Sequence, residues 1–355
     1  MLKLNILHSG FNAPNTRAFL FPLIIHRKSL FDAGMYWRSY SNVDDTIYDC
    51  DCLIIESNYH AKRWEEESNI ILEELEKLKN NINTVHYFDL LHPEVLPYVS
   101  AYYKPQVLRD INEYLNPHYG NRIYTNFVNV NYGVVDKKPS VSSIVKKPAD
   151  INKIRLSWNS GFSNYSFVGK YLNDAYRKVP LSCILRYPTV FYSPYLKRTN
   201  DISCRINTRY ERDTVAWFRK MAIEILSNKI KTNRLKSFQY YNELTNSKIT
   251  ISPFAWGEIN YKDYESFIYG ALLMKPDMSH LKTWPNYYID GETYLSYKWD
   301  CSDLLDVVED ALLNYKKHRE IAVAAQEKYR SMLLSNDAVN EFVERLKAIV
   351  LNESN

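Results

Sequence analysis

The chain is poor in glycine, with nine in 355 residues, and it has no CxxC pair, no long apolar run and no large surplus of either charge. Five cysteines, Cys50, Cys52, Cys183, Cys204 and Cys301, are odd in number and without metal-ligand spacing. That speaks against a zinc site and against a disulfide framework, and reduced thiols of a cytoplasmic protein are expected. No stretch approaches the ~20 apolar residues of a membrane span, and the opening MLKLNILHSG carries only a short apolar run. Neither secretion nor a transmembrane segment is expected. Lys and Arg number 45 against 41 Asp and Glu, scattered along the chain, for a formal net charge of +4. A dedicated nucleic-acid binder would show a basic stripe, so nucleic acid is not an expected partner. No internal repeat is present.

What is there is an ordinary globular composition, 46% apolar and 24% charged. The length exceeds the roughly 250 to 300 residues at which one core stops growing, so two domains are expected. Thirty tyrosines are conspicuous but carry no functional reading. KLNILH (3–8) reads as a buried strand ending at Ser9-Gly10, followed by a helix from about Thr16 to Ala33 with Gly34 as its stop. A second unit runs through the strand at 52–55, a helix over 61–80 and the strand at 84–88. Such alternation predicts a mainly parallel sheet with right-handed crossovers. Residues 135–153, rich in Pro, Ser and Lys, read as a linker. The α/β pattern resumes with KIRLSW, a helix over 213–226, the strand at 248–251, a helix over 261–271 and the strand at 272–274. The last 50 residues are helical with a turn near 335–337. The expected division is 1–150, 151–330, and a C-terminal helix over 331–355 packing back on the first domain.

Ligands of parallel sheets sit outside the carboxyl ends of the strands, so residues just after strands are of most interest. After KITI comes SPFAWGEINYKDYESFIYGALLMKPDMSHLKTWPNYY. Within it Glu265 lies in a half-apolar helix, where a carboxylate needs a partner. The two hydroxyls of a ribose would serve, as would a surface pair with Lys262. This string resembles the donor-binding region of bacterial GT-B glycosyltransferases, in particular the glycosyltransferase family 1 or exostosin-like group. KIRLSWNSGF, RINTRYERDTVAWFRK and YYKPQVLRDINEY are similar to the same group, so the resemblance covers most of the chain.

The resemblance implies an α/β fold of the GT-B kind, two Rossmann-like domains facing each other across a cleft. The first would serve the acceptor and the second a nucleotide-sugar donor. In the GT-B pattern a first Glu precedes a ribose-binding Glu by eight residues; Glu265 matches the second by its place before Gly270. The first position falls on Ser252, thirteen residues away, so the acid facing the donor sugar is either Glu258 or absent. Positive charge for the diphosphate would come from Arg205, Arg209 or Arg212, or from Lys275, with Arg209 equally readable as part of a solvated face. No DxD stands in a convincing place, since Asp49-Cys50-Asp51 reads as a strand cap; no metal and no other cofactor is expected.

The turn His8-Ser9-Gly10-Phe11-Asn12 has a glycine that lets backbone approach a ligand. Asp89, after the strand 84–88, is where an inverting enzyme would place a general base, with His8 and His92 as alternatives. Lys104 and Arg109 could meet an anionic acceptor. Trp158, Trp256 and Trp284 could stack on rings, although such residues are more often core. The expected function is transfer from a nucleotide-sugar to a saccharide or lipid-linked saccharide in bacterial lipopolysaccharide, O-antigen or capsule synthesis. The protein would be cytoplasmic, with peripheral contact to the inner membrane through Lys137, Lys138, Lys146 and Lys147 left open. A non-catalytic nucleotide- or glycan-binding protein and a sugar-nucleotide epimerase are the alternatives of the same fold.

Overall fold

The computed structural model describes residues 1–88, 92–138 and 144–353. In chain order the strands and helices are β1 (Leu2–Leu7), α1 (Pro14–Ile25), α2 (Arg27–Asp32), β2 (Met35–Tyr40), β3 (Cys52–Glu56), α3 (Asn58–Ala61), α4 (Trp64–Asn81), β4 (Thr84–Phe88), β5 (Ala101–Lys104), β6 (Gln106–Leu108), α5 (Ile123–Tyr132) and β7 (Ile154–Leu156). They continue as α6 (Phe167–Lys178), β8 (Asn200–Ser203), α7 (Asp213–Ile225), α8 (Ser237–Asn246), β9 (Ser247–Ile251), α9 (Tyr261–Tyr269), β10 (Leu272–Pro276), β11 (Leu281–Thr283), β12 (Leu295–Tyr297), α10 (Leu304–Leu313), α11 (Tyr315–Leu334) and α12 (Asn336–Val350).

Two wholly parallel sheets result, one ordered β2-β1-β3-β4-β5-β7 and the other β12-β10-β9-β8. This is the two-unit α/β architecture expected from the sequence. β3 shows why both faces of the first sheet are covered. Leu53 and Ile55 point into one cluster with Ile71, Leu75 and Leu78 of α4, while Cys52 and Ile54 point into another. That second cluster continues without a break through Trp158 and Phe342 to Phe267 of α9 and Leu272 of β10, so one apolar core joins the two units. Burial on both faces is the usual condition of a parallel sheet.

Several boundaries differ from the sequence reading. The first long helix is two, α1 and α2, parted at His26. KIRLSW forms β7, which pairs with β5 at the edge of the first sheet, so that sheet ends beyond residue 150. Conversely, α5 leaves the first sheet and packs on the second unit, where Tyr124 lies against Phe218 and Phe254. Asp136 follows it and accepts from the backbone N and Oγ1 of Thr214, both at 2.8 Å, capping α7 from a distant part of the chain. β6 and β11 add an antiparallel two-strand link between the units. α12 lies against the first sheet: His86 Nε2 donates to the Ile349 carbonyl at 2.8 Å and Arg345 to the Leu156 carbonyl, also at 2.8 Å. No described helix is long and apolar enough to cross a membrane.

Candidate functional site

In the first sheet the direction of strand addition reverses at β1, which has β2 on one side and β3 on the other. The helices leaving β1 and β3 therefore go to opposite faces and a crevice opens beyond the carboxyl ends, the place where open α/β sheets bind ligands. A cavity of about 450 Å³ lies there. Its first wall is built from Asn15 and Phe19 of α1, Glu56 at the last position of β3, Asn58, Phe88 at the end of β4, Gln106, and Ser157 and Asn159 after β7. The opposite wall is the loop after β9, Ala255 to Gly257 with Ile259 and Asn260, together with Tyr210 and Arg219; Arg122, ahead of α5, also reaches it. Both units thus contribute to one pocket.

Its charges are arranged by sign. Glu56 is nearly fully buried, accepting from Thr16 Oγ1 at 2.7 Å and from the side-chain and backbone nitrogens of Asn58 at 2.6 and 3.3 Å. Two of these bonds fall on Oε1 and one on Oε2, which fixes the carboxylate at the end of β3. Arg219 comes from α7; one of its terminal nitrogens donates to the Asn207 carbonyl at 3.2 Å and its Nε is buried with no protein partner. Burial lowers its pKa, the mark of a cation held away from water. Arg122 donates to the Tyr124 hydroxyl and to the Trp256 carbonyl. Two guanidiniums and one carboxylate on the walls of a cavity can hold an anionic group and a hydroxyl-bearing group side by side.

Gln106 ties the two walls. Its Nε2 donates to Glu258 Oε2 at 2.7 Å across the junction between the units, and a carboxylate, accepting only, fixes the amide so that its carbonyl oxygen is left for an outside donor. Glu258 itself is buried behind the wall, with His280 Nε2 3.8 Å from its other oxygen. Burial would raise its pKa, but His280 and the Arg122 charge hold it below the ordinary value.

The other expected site residues are dispersed. His92 lines the pocket with its ring 4.0 Å from that of Trp64, and Asp89 lies outside the described residues. Glu265 is not brought to the pocket; its carboxylate accepts from the Tyr240 and Tyr241 hydroxyls of α8 at 2.6 and 3.3 Å, and burial raises its pKa. Lys275 has a wholly buried side chain, 3.0 Å from Asp263 Oδ2 and 2.7 Å from the Glu258 carbonyl, so it is a core ion pair and no open phosphate contact. Ser252 joins the same network, donating to Asp263 Oδ1 at 2.5 Å. Arg205 is committed to both oxygens of Glu243, Arg209 is exposed away from the cavity, and Arg212 donates to the Gly120 carbonyl. His8 accepts from the Gly10 nitrogen and pairs with Ser39 at 2.6 Å; burial lowers its pKa to about 4. Gly10 takes a φ of +94° in that turn, and Asn12 is exposed. Lys104 is buried over the rings of Tyr102 and Tyr114. Arg109 donates to the Ser279 carbonyl at 2.9 Å, steadying the β6–β11 link. Of the tryptophans, Trp158 and Trp256 line the pocket, Trp158 as a core ring stacked on Phe19, and Trp284 bonds Glu341 elsewhere. Asp49 pairs with Lys3, and Asp51 accepts from the Lys3 backbone nitrogen, in keeping with a strand cap.

Glu56, Gln106, Arg122 and Arg219 were missed. Glu56 had a signal, being the polar residue that ends the apolar run CLII. The other three had none, since only the fold carries α5 and α7 to the same crevice.

No family model matches the chain, and no curated protein matches it. Among solved structures it is similar to a glycosyltransferase from Rickettsia africae ESF-5, at 13% identity over 99% of each chain and a TM-score of 0.42. It is also similar to WaaG, a glycosyltransferase involved in lipopolysaccharide biosynthesis, at 11% identity over 99% of each chain and a TM-score of 0.43. A UDP-GlcNAc 2-epimerase from Neisseria meningitidis bound to UDP-GlcNAc gives 10% identity over 98% of this chain and all of that one, with a TM-score of 0.36. These are likenesses of overall form and assign no activity.

Proposed function

We propose that the protein moves a sugar from a nucleoside-diphosphate sugar to a saccharide or lipid-linked saccharide acceptor, as in the assembly of bacterial surface polysaccharide. The observation that carries this reading is the cavity where the carboxyl ends of two parallel sheets meet, lined by Arg122 and Arg219 as well as by Glu56. Departure of a nucleoside diphosphate builds negative charge on the β-phosphate, which two fixed guanidiniums stabilise in a partly desolvated site. The acceptor oxygen bonds to the anomeric carbon as the carbon–phosphate-oxygen bond breaks. The acceptor proton passes to a carboxylate, for which Glu56 is placed. Glu258 acts behind the wall, holding Gln106 toward the substrate. The arginines take the charge that a metal ion carries elsewhere, so activity is expected to survive chelation.

The test is a thermal-shift screen with UDP, GDP, CMP, dTDP and ADP, with and without EDTA, on the native chain and on Arg219→Ala and Arg122→Ala. A nucleotide at 100 times its dissociation constant stabilises by about 2.7 kcal/mol. One nucleotide is expected to give a shift that both variants lose. With the matching donor and an acceptor, Glu56→Gln should lower kcat by roughly 10²- to 10⁴-fold. A folded chain that no nucleotide stabilises sinks the reading; consumption of donor without release of nucleotide points to epimerisation instead.

A further inference from the structure

Among the described residues nineteen large apolar side chains are exposed, and eight of them fall between Val168 and Leu196. Scattered exposed apolar residues are normal in soluble proteins, but a concentration of this kind marks a contact surface. α6 shows the anomaly most plainly: it buries Gly169 and Asn173 while Val168 is 49% and Tyr171 is 55% exposed. Beyond its end Val179 and Leu181 are exposed by more than half, and Val190 by 61%. The segment folds back on itself, because Asn164, just ahead of α6, donates to the Arg186 carbonyl at 2.8 Å. Both ends also meet at Tyr269, whose hydroxyl accepts from the Phe167 nitrogen and whose ring stacks on Tyr192 at 5.1 Å.

Over residues 166–190 bases outnumber acids, and Glu320 meets Tyr195 beyond that stretch. Between Ser166 and Asn200 the only acid is Asp174, and it is paired with Arg177. Lys170, Lys178, Arg186 and Lys197 are exposed, and none of them is paired with an acid among the described residues. Apolar side chains interleaved with uncompensated bases suit one kind of occupant above others, a bilayer whose headgroups are anionic. A protein partner would need an acid placed against each of these bases, whereas anionic headgroups are mobile and meet them wherever they fall.

We infer that α6 and the loop after it, residues 166–190, form a membrane-docking surface for anionic lipid. Val168, Tyr171, Val179 and Leu181 enter the headgroup boundary while Lys170, Lys178 and Arg186 meet phosphates. α6 also touches the first unit, where Tyr176 packs on Phe11 with ring centroids 4.6 Å apart. This surface differs from the lysines at 137, 138, 146 and 147, and it does not depend on the transfer reading.

The experiment is co-sedimentation of the full chain with vesicles of phosphatidylcholine alone and with 30% phosphatidylglycerol added. Binding is expected only to the anionic vesicles and weakened by salt. Each base near a charged bilayer contributes about fivefold, so K170E/K178E/R186E should weaken binding by at least about 100-fold. V179D/L181D should weaken it as well, while K146E/K147E should leave it within about threefold. Circular dichroism and thermal melts of the variants without any ligand verify folding separately. No binding to anionic vesicles, or binding lost in K146E/K147E and kept in the triple variant, overturns the inference. So does a self-associated native chain in light scattering that V179D/L181D turns monomeric.

Discussion

At the scale of single residues, burial decides which charged groups serve the core and which serve the pocket. Lys275 is wholly enclosed and its charge is met by Asp263, with Ser252 and Tyr288 completing the carboxylate's bonds. Breaking such a pair strands the remaining charge, so Lys275→Met should cost about 3–5 kcal/mol, read as a lower urea midpoint at unchanged slope. Three histidines are enclosed without an acid. Burial holds His8, His26 and His86 at about 4, against an ordinary value of 6.5. The unfolded chain therefore binds protons that the folded chain refuses. Their stability contribution is complete above about pH 6.5 and is lost as the pH falls toward 4, by on the order of 2–3 kcal/mol each. Urea midpoints taken from pH 7 to pH 4.5 should fall steadily, and less steeply in His26→Phe; a flat profile would contradict the burial argument.

At the scale of elements, the glycines that matter are those whose backbone other residues adopt only under strain and whose missing side chain leaves room for a neighbour. Gly270 ends α9 at a φ of +69°, and a Cβ there would stand 2.2 Å from the Tyr192 carbonyl oxygen. The same close approach lets Arg198 reach the Tyr269 carbonyl at 2.9 Å and tie α9 to the segment before β8. Gly270→Ala combines left-handed strain with a backbone clash, and a loss of more than about 2 kcal/mol is expected in denaturant titration. The period of the apolar residues made α4, α9 and four of the strands of the first sheet, β1, β3, β4 and β7, legible in the sequence, whereas β2 and β5 were not. The short strands β6, β8, β11 and β12 were not, because three or four residues hold no measurable period and their pairing partners lie far along the chain.

For the whole molecule, the second unit and the last helix complete what the first sheet leaves open. α12 places Phe342, Leu346 and Ile349 in the core that joins the units, with Phe342 against His26, Trp158 and Phe162. A chain ending at Ser335 would expose that surface. It is expected to bind a hydrophobic dye strongly and to lose its cooperative thermal transition, whereas removal of residues 352–355 should leave both unchanged.

The sequence by itself determined the α/β class, the parallel sense of the sheets and the existence of two units, because alternation and length are local properties written into apolar periodicity. It also determined that the residues of interest follow strands, and Glu56 obeys that rule. Which polar residues reach the cavity was decided only by tertiary structure. Glu265 and Lys275 looked available in one dimension but are consumed by α8 and by Asp263. Arg122 and Arg219 lie 97 positions apart and share a wall only because α5 crosses from the first sheet to pack beside α7. A side chain's solvation and partners are set by what folds against it, and that is information no window along the chain contains.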